Sequence, residues 1–171
     1  MDSPRPDTLT EHHIRSTPLS LDAMLADTER EDCGALAIFA GTVRNHHEGK
    51  PVTHLVYTAH AALCEKLIAG IEAETRERFG VPICRIQHRI GELAVGQNAI
   101  LVVVRSPHRA EAFAALRHAV DATKHRAPIW KEEFYADGSS AFVTGCCIAP
   151  DGEAPEHEHS HPHTHTAEHA H

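Results

Sequence analysis

Residues 83–109 have the sequence ICRIQHRIGELAVGQNAILVVVRSPHR, and their pattern is that of two strands followed by a helix. Apolar and polar side chains alternate over residues 83–90, which is typical of a strand with one buried face. Residues 99–104 are continuously apolar and predict a second strand. The Gly-Gln-Asn sequence at 96–98 predicts the turn between them. This segment therefore predicts a hairpin-like pair of strands.

The helix after this pair has a clear start signal. Ser106 is suited to the N-cap and Pro107 to the first helical position, and the helix is expected to run to about His125. A polar loop is expected over residues 42–50. The other predicted elements are a short helix near 21–25, strands over 35–40 and 52–58, a helix over 63–79, and strands over 129–135 and 140–148. Strand pairs separated by helices predict an α+β fold with a largely antiparallel sheet.

The length of 171 residues suits one domain with tails. We expect a flexible N-terminal segment over residues 1–18, a folded domain over 19–149 and a disordered tail over 150–171. The tail is acidic and rich in histidine, since residues 151–171 hold seven of the 17 histidines and five acidic residues without Lys or Arg.

The net charge of -8 argues against broad binding to nucleic acid or to an anionic membrane surface. Residues 1–150 alone carry 16 basic and 19 acidic side chains, a net charge of -3. No apolar run is long enough to span a membrane, and the polar N-terminus does not resemble a secretory signal. These features predict a cytoplasmic protein.

Several familiar catalytic motifs are absent from the sequence. It contains no Walker-type phosphate loop, no Rossmann glycine motif, no nucleophile elbow and no H-E-x-x-H zinc motif. The five cysteines include no C-x-x-C pair, so we expect reduced and mostly buried thiols. Cys146 and Cys147 would point to opposite faces of a strand.

Cationic residues instead gather at the ends of predicted elements. Arg44 follows a strand, His108 and Arg109 begin a helix, Lys124 ends that helix, and Lys131 lies in the next strand. Any one of them alone could be an ordinary solvated surface charge. Together they favour a site for an anion such as a phosphate.

The length of the helix limits which of these cations can meet. His108 and Lys124 are 16 residues apart, roughly 24 Å along an unbroken helix. Lys124 and Lys131 lie on either side of a turn and can converge. If all the cations serve one pocket, a second copy of the chain must supply some of them, as in a symmetric dimer.

Four segments of the sequence resemble one known family. They are GTVRNH at 41–46, HRIGEL at 88–93, SPHR at 106–109 and KHRAPIWKEE at 124–133. In this order and spacing they resemble the large, catalytic subunit of molybdopterin synthase, over about residues 20–145.

The resemblance implies an α/β hammerhead-type fold and a homodimer of large subunits. It further implies a small ubiquitin-like sulfur carrier at each end, which makes a heterotetramer. The reaction implied is sulfur transfer from the thiocarboxylate on the carrier's C-terminal Gly-Gly to cyclic pyranopterin monophosphate (precursor Z). The product is the dithiolene of molybdopterin, and the reaction requires no cofactor.

The resemblance also assigns roles to residues. Lys124 would meet the thiocarboxylate as charge partner or transient acceptor, and Lys131 would donate a proton or stabilise charge. The other positions that match its substrate site are Thr42, Val43, Arg44, His108, Arg109, Glu132 and Glu133.

The sequence departs from the family pattern just after the second predicted strand. Thr58, His60 and Leu63 stand where the family usually has Glu, Tyr and Met. Leucine can replace methionine in a core at little cost. The loss of an acid and the gain of His60 change the local polar network.

Two alternative functions follow from other features. In an extended tail, alternate histidines lie on one side and could bind Ni, Zn or Cu, adventitiously or as a function: His157, His159, His161, His163 and His165. The chain could also be a non-catalytic partner subunit, although it retains Lys124 and Lys131.

Overall fold

A computed structural model describes residues 12–143, which form three helices and nine strands. The helices are α1 (Leu21–Asp27), α2 (Ala61–Phe79) and α3 (Arg109–Arg126). The strands are β1 (Ile14–Arg15), β2 (Ala35–Thr42), β3 (His46–His47), β4 (Lys50–Ala59), β5 (Ile83–Arg89), β6 (Gly91–Ala94), β7 (Asn98–Ser106), β8 (Ile129–Tyr135) and β9 (Ser140–Phe142). The predicted α+β class with largely antiparallel pairing is confirmed.

The first sheet has the strand order β1-β5-β7-β2. The predicted pair is present, because β5 and β7 run antiparallel from Ile83 opposite Arg105 to His88 opposite Ile100. Strand β2 pairs antiparallel with the other edge of β7. Strand β1 is parallel to β5.

The second sheet is built around β4, with β8 on one edge and β3 and β6 on the other. Residues 42–50 were expected to be a loop, but β3 and β4 form a hairpin there. Its turn is Glu48-Gly49, where both residues have positive φ, 47° and 78°. Strand β8 occupies one edge of β4, and β3 and β6 occupy the other. The order of predicted elements suggested that β2 and β4 pair with each other, but no edge of β4 is left for β2.

The three residues that depart from the family pattern lie at or just before the start of helix α2. Nδ1 of His60 accepts a hydrogen bond from the backbone N–H of Leu63 at 3.2 Å, so His60 is the N-cap. Leu63 is 43% exposed, so the expectation that this leucine replaces a core methionine is wrong. Thr58 lies exposed on β4. The helix ends at Gly80, whose φ of 63° is in the left-handed region that favours glycine.

Helix α3 begins later than the sequence predicted. Ser106 still belongs to β7, where it pairs with Ala35, and this extended pairing keeps Ser106 and Pro107 out of the helix. His108 is the N-cap and Arg109 the first helical residue. Ala127 ends the helix in an extended conformation before Pro128, as expected.

The core lies between the first sheet and the two long helices. Strand β7 supplies fully buried valines at 102 and 104, which pack with Ile68 of α2 and Ala115 of α3. On the other face of the sheet, Met24 of α1 packs against Leu101 and Val103. None of the helices within residues 12–143 is long and apolar enough to cross a membrane.

The first residues that the structure describes are attached to this core. Although residues 1–18 were expected to be flexible, β1 pairs with β5, and the carbonyl of His13 accepts from the N–H of His88 at 2.7 Å. The ring of buried His13 lies 2.8 Å from Glu65 and 3.2 Å from Glu72. The tail over 150–171, Cys146 and Cys147, and the end of the strand predicted over 140–148 lie outside the described residues.

Candidate active site

A cavity of about 250 Å³ opens where the two sheets meet the C-terminal end of α3. The lining comes from six strands (β2, β3, β4, β5, β7 and β8), from α3 and from the segment after β2. These residues are Gly41, Thr42, Arg44, His46, Leu55, Tyr57, His88, Ala99, Ile100, Thr123, Lys124, Ile129, Lys131 and Glu133. Its volume suits a small-molecule ligand or part of a larger one.

Three of the predicted cations meet in this cavity. Lys124 lies in the last turn of α3, and its Nζ is 5.4 Å from the centre of the Phe39 ring on β2. Lys131 enters from β8 after the turn at Pro128, and Arg44 follows the end of β2. Their convergence creates a positive pocket in a chain of negative net charge.

Lys131 is held by a buried carboxylate. Its Nζ lies 3.1 Å from Oε1 of Glu133, and the two side chains are 12% and 4% exposed. The other oxygen, Oε2, accepts a hydrogen bond from Tyr135 at 3.0 Å and lies 2.8 Å from Nδ1 of His47. Burial alone would raise the pKa of Glu133, but these partners outweigh it and hold the pKa below its usual value. Glu133 is therefore an anion that fixes the lysine.

His88 adds a neutral group to this charged cavity. It lies on β5, is 7% exposed, and meets the ring of Tyr57 edge-on with the centroids 5.0 Å apart. Its Nδ1 is 2.8 Å from the backbone carbonyl of Arg89. Burial lowers the pKa of His88 to about 4, and the charge of Lys124 acts in the same direction. The imidazole is uncharged at neutral pH.

The structure separates some predicted site residues from the cavity. Val43 is buried, and its backbone bonds to the turn at residues 96–97. Glu132 points to the opposite face of β8 from Lys131, where it accepts a hydrogen bond from Ser140. Thr42, in contrast, lines the cavity.

His108 and Arg109 lie at the far end of α3 from Lys124. The helix is continuous over its 18 residues, so about 24 Å of helix separates His108 from Lys124. Both side chains are exposed and neither lines the cavity. Within one chain, the structure brings together Thr42, Arg44, Lys124, Lys131 and Glu133 and leaves this pair outside.

Sequence reasoning assigned no role to several lining residues, notably His88 and Tyr57. A signal for His88 was present: it follows Cys84 and Ile86 on the apolar side of the alternating strand. A titratable residue on a buried face needs a polar partner or a function. Tyr57 carries no comparable signal, because a tyrosine in a strand is ordinarily part of the core.

The described cysteines are free thiols, and Cys64 and Cys84 are fully buried. Burial raises the pKa of Cys84 to about 12, so its thiol is a poor nucleophile at neutral pH. Among residues 12–143, no three His, Cys, Asp or Glu side chains are placed to hold a metal ion. The proposed tail ligands lie outside this part of the chain.

The fold and the cavity define an α+β protein with a lysine-containing, positively charged pocket. Comparison with known proteins identifies the family within this class. The family model described as MoaE protein matches residues 14–126. The molybdopterin synthase catalytic subunit of Nostoc sp. is 44% identical over 136 residues, which cover 78% of this chain and 82% of the relative.

Solved structures agree. A crystal structure of molybdopterin synthase from Staphylococcus aureus matches with a TM-score of 0.75 and 33% identity, covering 80% of this chain and 99% of that one. A complex of subunits 1 and 2 of molybdopterin-converting factor from Helicobacter pylori matches in fold, with a TM-score of 0.63 at 22% identity, covering 76% of this chain and 88% of that one. The chain belongs to the MoaE family of molybdopterin synthase catalytic subunits, and its role is in molybdenum cofactor biosynthesis.

Proposed function

We propose that this catalytic subunit transfers sulfur from the thiocarboxylated C-terminus of a small ubiquitin-like carrier to cyclic pyranopterin monophosphate, forming the molybdopterin dithiolene. The observation that carries the proposal is the convergence of Lys124, Lys131 and Arg44 on one cavity. A substrate phosphate and a thiocarboxylate are both anions, and three cations in a partly enclosed site favour both.

The two lysines have different surroundings, which supports different roles. Lys124 has an aromatic ring beside its ammonium group and is free to meet the thiocarboxylate, as charge partner or transient acceptor. Lys131 is fixed by Glu133 and is suited to donate a proton or stabilise charge as the substrate ring opens. Arg44 is exposed at the rim and is suited to the phosphate.

The remaining cations require a second copy of the chain. His108 and Arg109 cannot reach the cavity of their own protomer along an unbroken α3, so we propose that a homodimer places them at the partner's cavity. The carrier would then dock at each end of the dimer, as a heterotetramer. The Helicobacter pylori structure is a complex of two different subunits, which supports a second kind of subunit as a partner. We propose that the reaction takes place in the cytoplasm and needs no cofactor.

The family match favours this function over a metal-binding protein that acts through its tail. A non-catalytic partner subunit is disfavoured because both lysines are retained and meet in one cavity.

The deciding experiment mixes the full chain with a thiocarboxylated carrier and precursor Z and measures molybdopterin. We expect product from the intact chain and loss of most turnover in Lys124→Ala, with the fold retained. Lys66→Ala removes an exposed lysine from α2 and is the matched control. Failure of the intact chain to form product would refute the proposal.

A deletion of residues 151–171 tests the tail separately. If the tail only carries adventitious metal, the shortened chain keeps its sulfur transfer. Loss of molybdopterin formation would show that the tail takes part.

A further inference from the structure

The ring of His88 is held in one tautomer by the backbone. A carbonyl oxygen can only accept a hydrogen bond, so the contact between Nδ1 and the carbonyl of Arg89 at 2.8 Å places the proton on Nδ1. In the neutral ring, Nε2 then carries a lone pair and can only accept. The proximity of Lys124 disfavours a second proton on this ring.

Nε2 is open to a ligand. His88 lines the cavity, and its Nε2 has no hydrogen-bond partner among residues 12–143. Some unpartnered nitrogens in this part of the chain are fully enclosed, but Nε2 of His88 is not one of them. The residue as a whole is only 7% exposed, and it contributes to the lining of the cavity. The edge contact with Tyr57 and the backbone bonds of β5 on both sides limit its rotation.

The other charged groups of the cavity cannot supply this acceptor. Arg44, Lys124 and Lys131 carry only donors. Glu133 is already shared by Lys131, Tyr135 and His47. A ligand with both an anionic group and N–H donors would therefore find its charge partners at the cations and a free acceptor at His88.

We propose that Nε2 of His88 binds the heterocycle of the substrate by accepting a hydrogen bond from a ring N–H or amino group, while the cations bind its phosphate. This inference rests on the proposed function, since the pterin ring system of precursor Z carries such donors. His88 is then a substrate-binding residue that distinguishes a nitrogen heterocycle from other phosphorylated molecules.

The test compares binding of precursor Z and of inorganic phosphate, without the carrier so that no turnover occurs. Removing one partner of a hydrogen bond in an enclosed site costs about 1–3 kcal/mol, so His88→Leu is expected to weaken precursor Z binding roughly tenfold or more. Phosphate binding should stay unchanged. His88→Gln, whose amide oxygen can accept near the position of Nε2, should recover most of the affinity.

A measurement on the unmodified chain guards against a folding defect in these variants. In ¹⁵N spectra of the histidine side chains, Nε2 of His88 should show the shift of an unprotonated nitrogen. It should move towards that of a hydrogen-bonded acceptor when precursor Z is added, and not when phosphate is added.

The following results would overturn the proposed role of His88. Equal affinity of His88→Leu and the unmodified chain for precursor Z, or an Nε2 signal that does not respond to it, would overturn the role of His88 while product formation still upheld the proposed function. Parallel loss of phosphate and precursor Z binding in a folded His88→Leu variant would also overturn it. An intact chain that binds phosphate but neither binds nor converts precursor Z would refute the proposed function and this inference together.

Discussion

Glu133 and Lys131 lie two residues apart on β8, face the same cavity and approach to 3.1 Å, with the carboxylate almost fully buried. The pairing is possible because alternate residues of a strand share one face. A lysine directed by a fixed anion presents its ammonium group in a defined direction, which an exposed lysine does not. The pair therefore orients Lys131 within the proposed catalytic site.

Replacing Glu133 with Gln should lower turnover about tenfold or more, because Lys131 loses the anion that orients it. The shape of the site is kept and the fold is expected to survive. Steady-state rates of molybdopterin formation measure the effect. Glu77→Gln removes an exposed charge from α2 and should leave the rate unchanged. Equal rates for both variants would remove Glu133 from the mechanism.

The separation of His108 from Lys124 predicts that two protomers share each site. Lys124→Ala and His108→Ala should each have little activity alone. Mixing and reassembling them should restore roughly a quarter of the sites, because half of the dimers are mixed and each has one intact site. Activity of the mixture that equals the average of the two separate variants would contradict a shared site.

Gly70 within α2 and Gly80 at its C-terminal end should respond oppositely to alanine. Gly80 has a φ of 63°, so Gly80→Ala should destabilise the protein by about 1 kcal/mol. Gly70 lies inside the helix with open space around its α-carbon, and Gly70→Ala should stabilise by up to about 1 kcal/mol. Urea denaturation of the two variants measures this contrast. Stabilisation by Gly80→Ala would contradict the left-handed conformation of Gly80, and destabilisation by Gly70→Ala would contradict the open position inside the helix.

His13 should make stability depend on pH. Burial alone would lower the pKa of His13, but Glu72 and Glu65 outweigh it and raise the pKa above its ordinary value of 6.5. A raised histidine pKa contributes stability that is complete below pH 6.5 and is lost as the pH rises through the folded-state pKa. Unfolding free energies at several pH values from 6 to 9 should therefore fall for the intact chain.

The variant His13→Gln is the comparison for this titration. It lacks the titrating ring, so its unfolding free energy should vary less over the same range. A parallel pH dependence of both proteins would assign the loss of stability to other groups.

Local patterns made much of the fold predictable. The antiparallel pairing of β5 with β7 and the end of α3 at Pro128 were predicted correctly, since they depend on neighbours in sequence. The short strand β6 between β5 and the turn was not predicted, because it pairs with the distant β4. The convergence of Lys124 and Lys131 followed from the short turn between them. The placement of Arg44 beside them required the family resemblance, because no local rule connects the end of β2 to α3.

Contacts between residues far apart in sequence explain why some elements were not predicted. The partner of β2 is β7, some 60 residues away, and no local pattern distinguishes this from pairing with β4. Pairing with β2 also keeps Ser106 in β7, so α3 begins at Arg109 and not at Pro107. The turn at Glu48-Gly49 lacks the Asn-Gly or Asp-Gly signal of a tight hairpin. His88 became visible as a site residue only when the cavity was assembled.

The bond from the N–H of His88 to the carbonyl of His13 has a consequence for experiment. Strand β5, which carries His88, is hydrogen-bonded along one edge to residues 13–15. Detachment of residues 13–15 therefore exposes the amides of His88 and Ile90 to water. Deuterium uptake at these two amides therefore reports whether β1 is attached to the strand that carries His88. A label fused close to His12 is therefore expected to weaken the pairing of β1 with β5, although His12 lies outside the pocket.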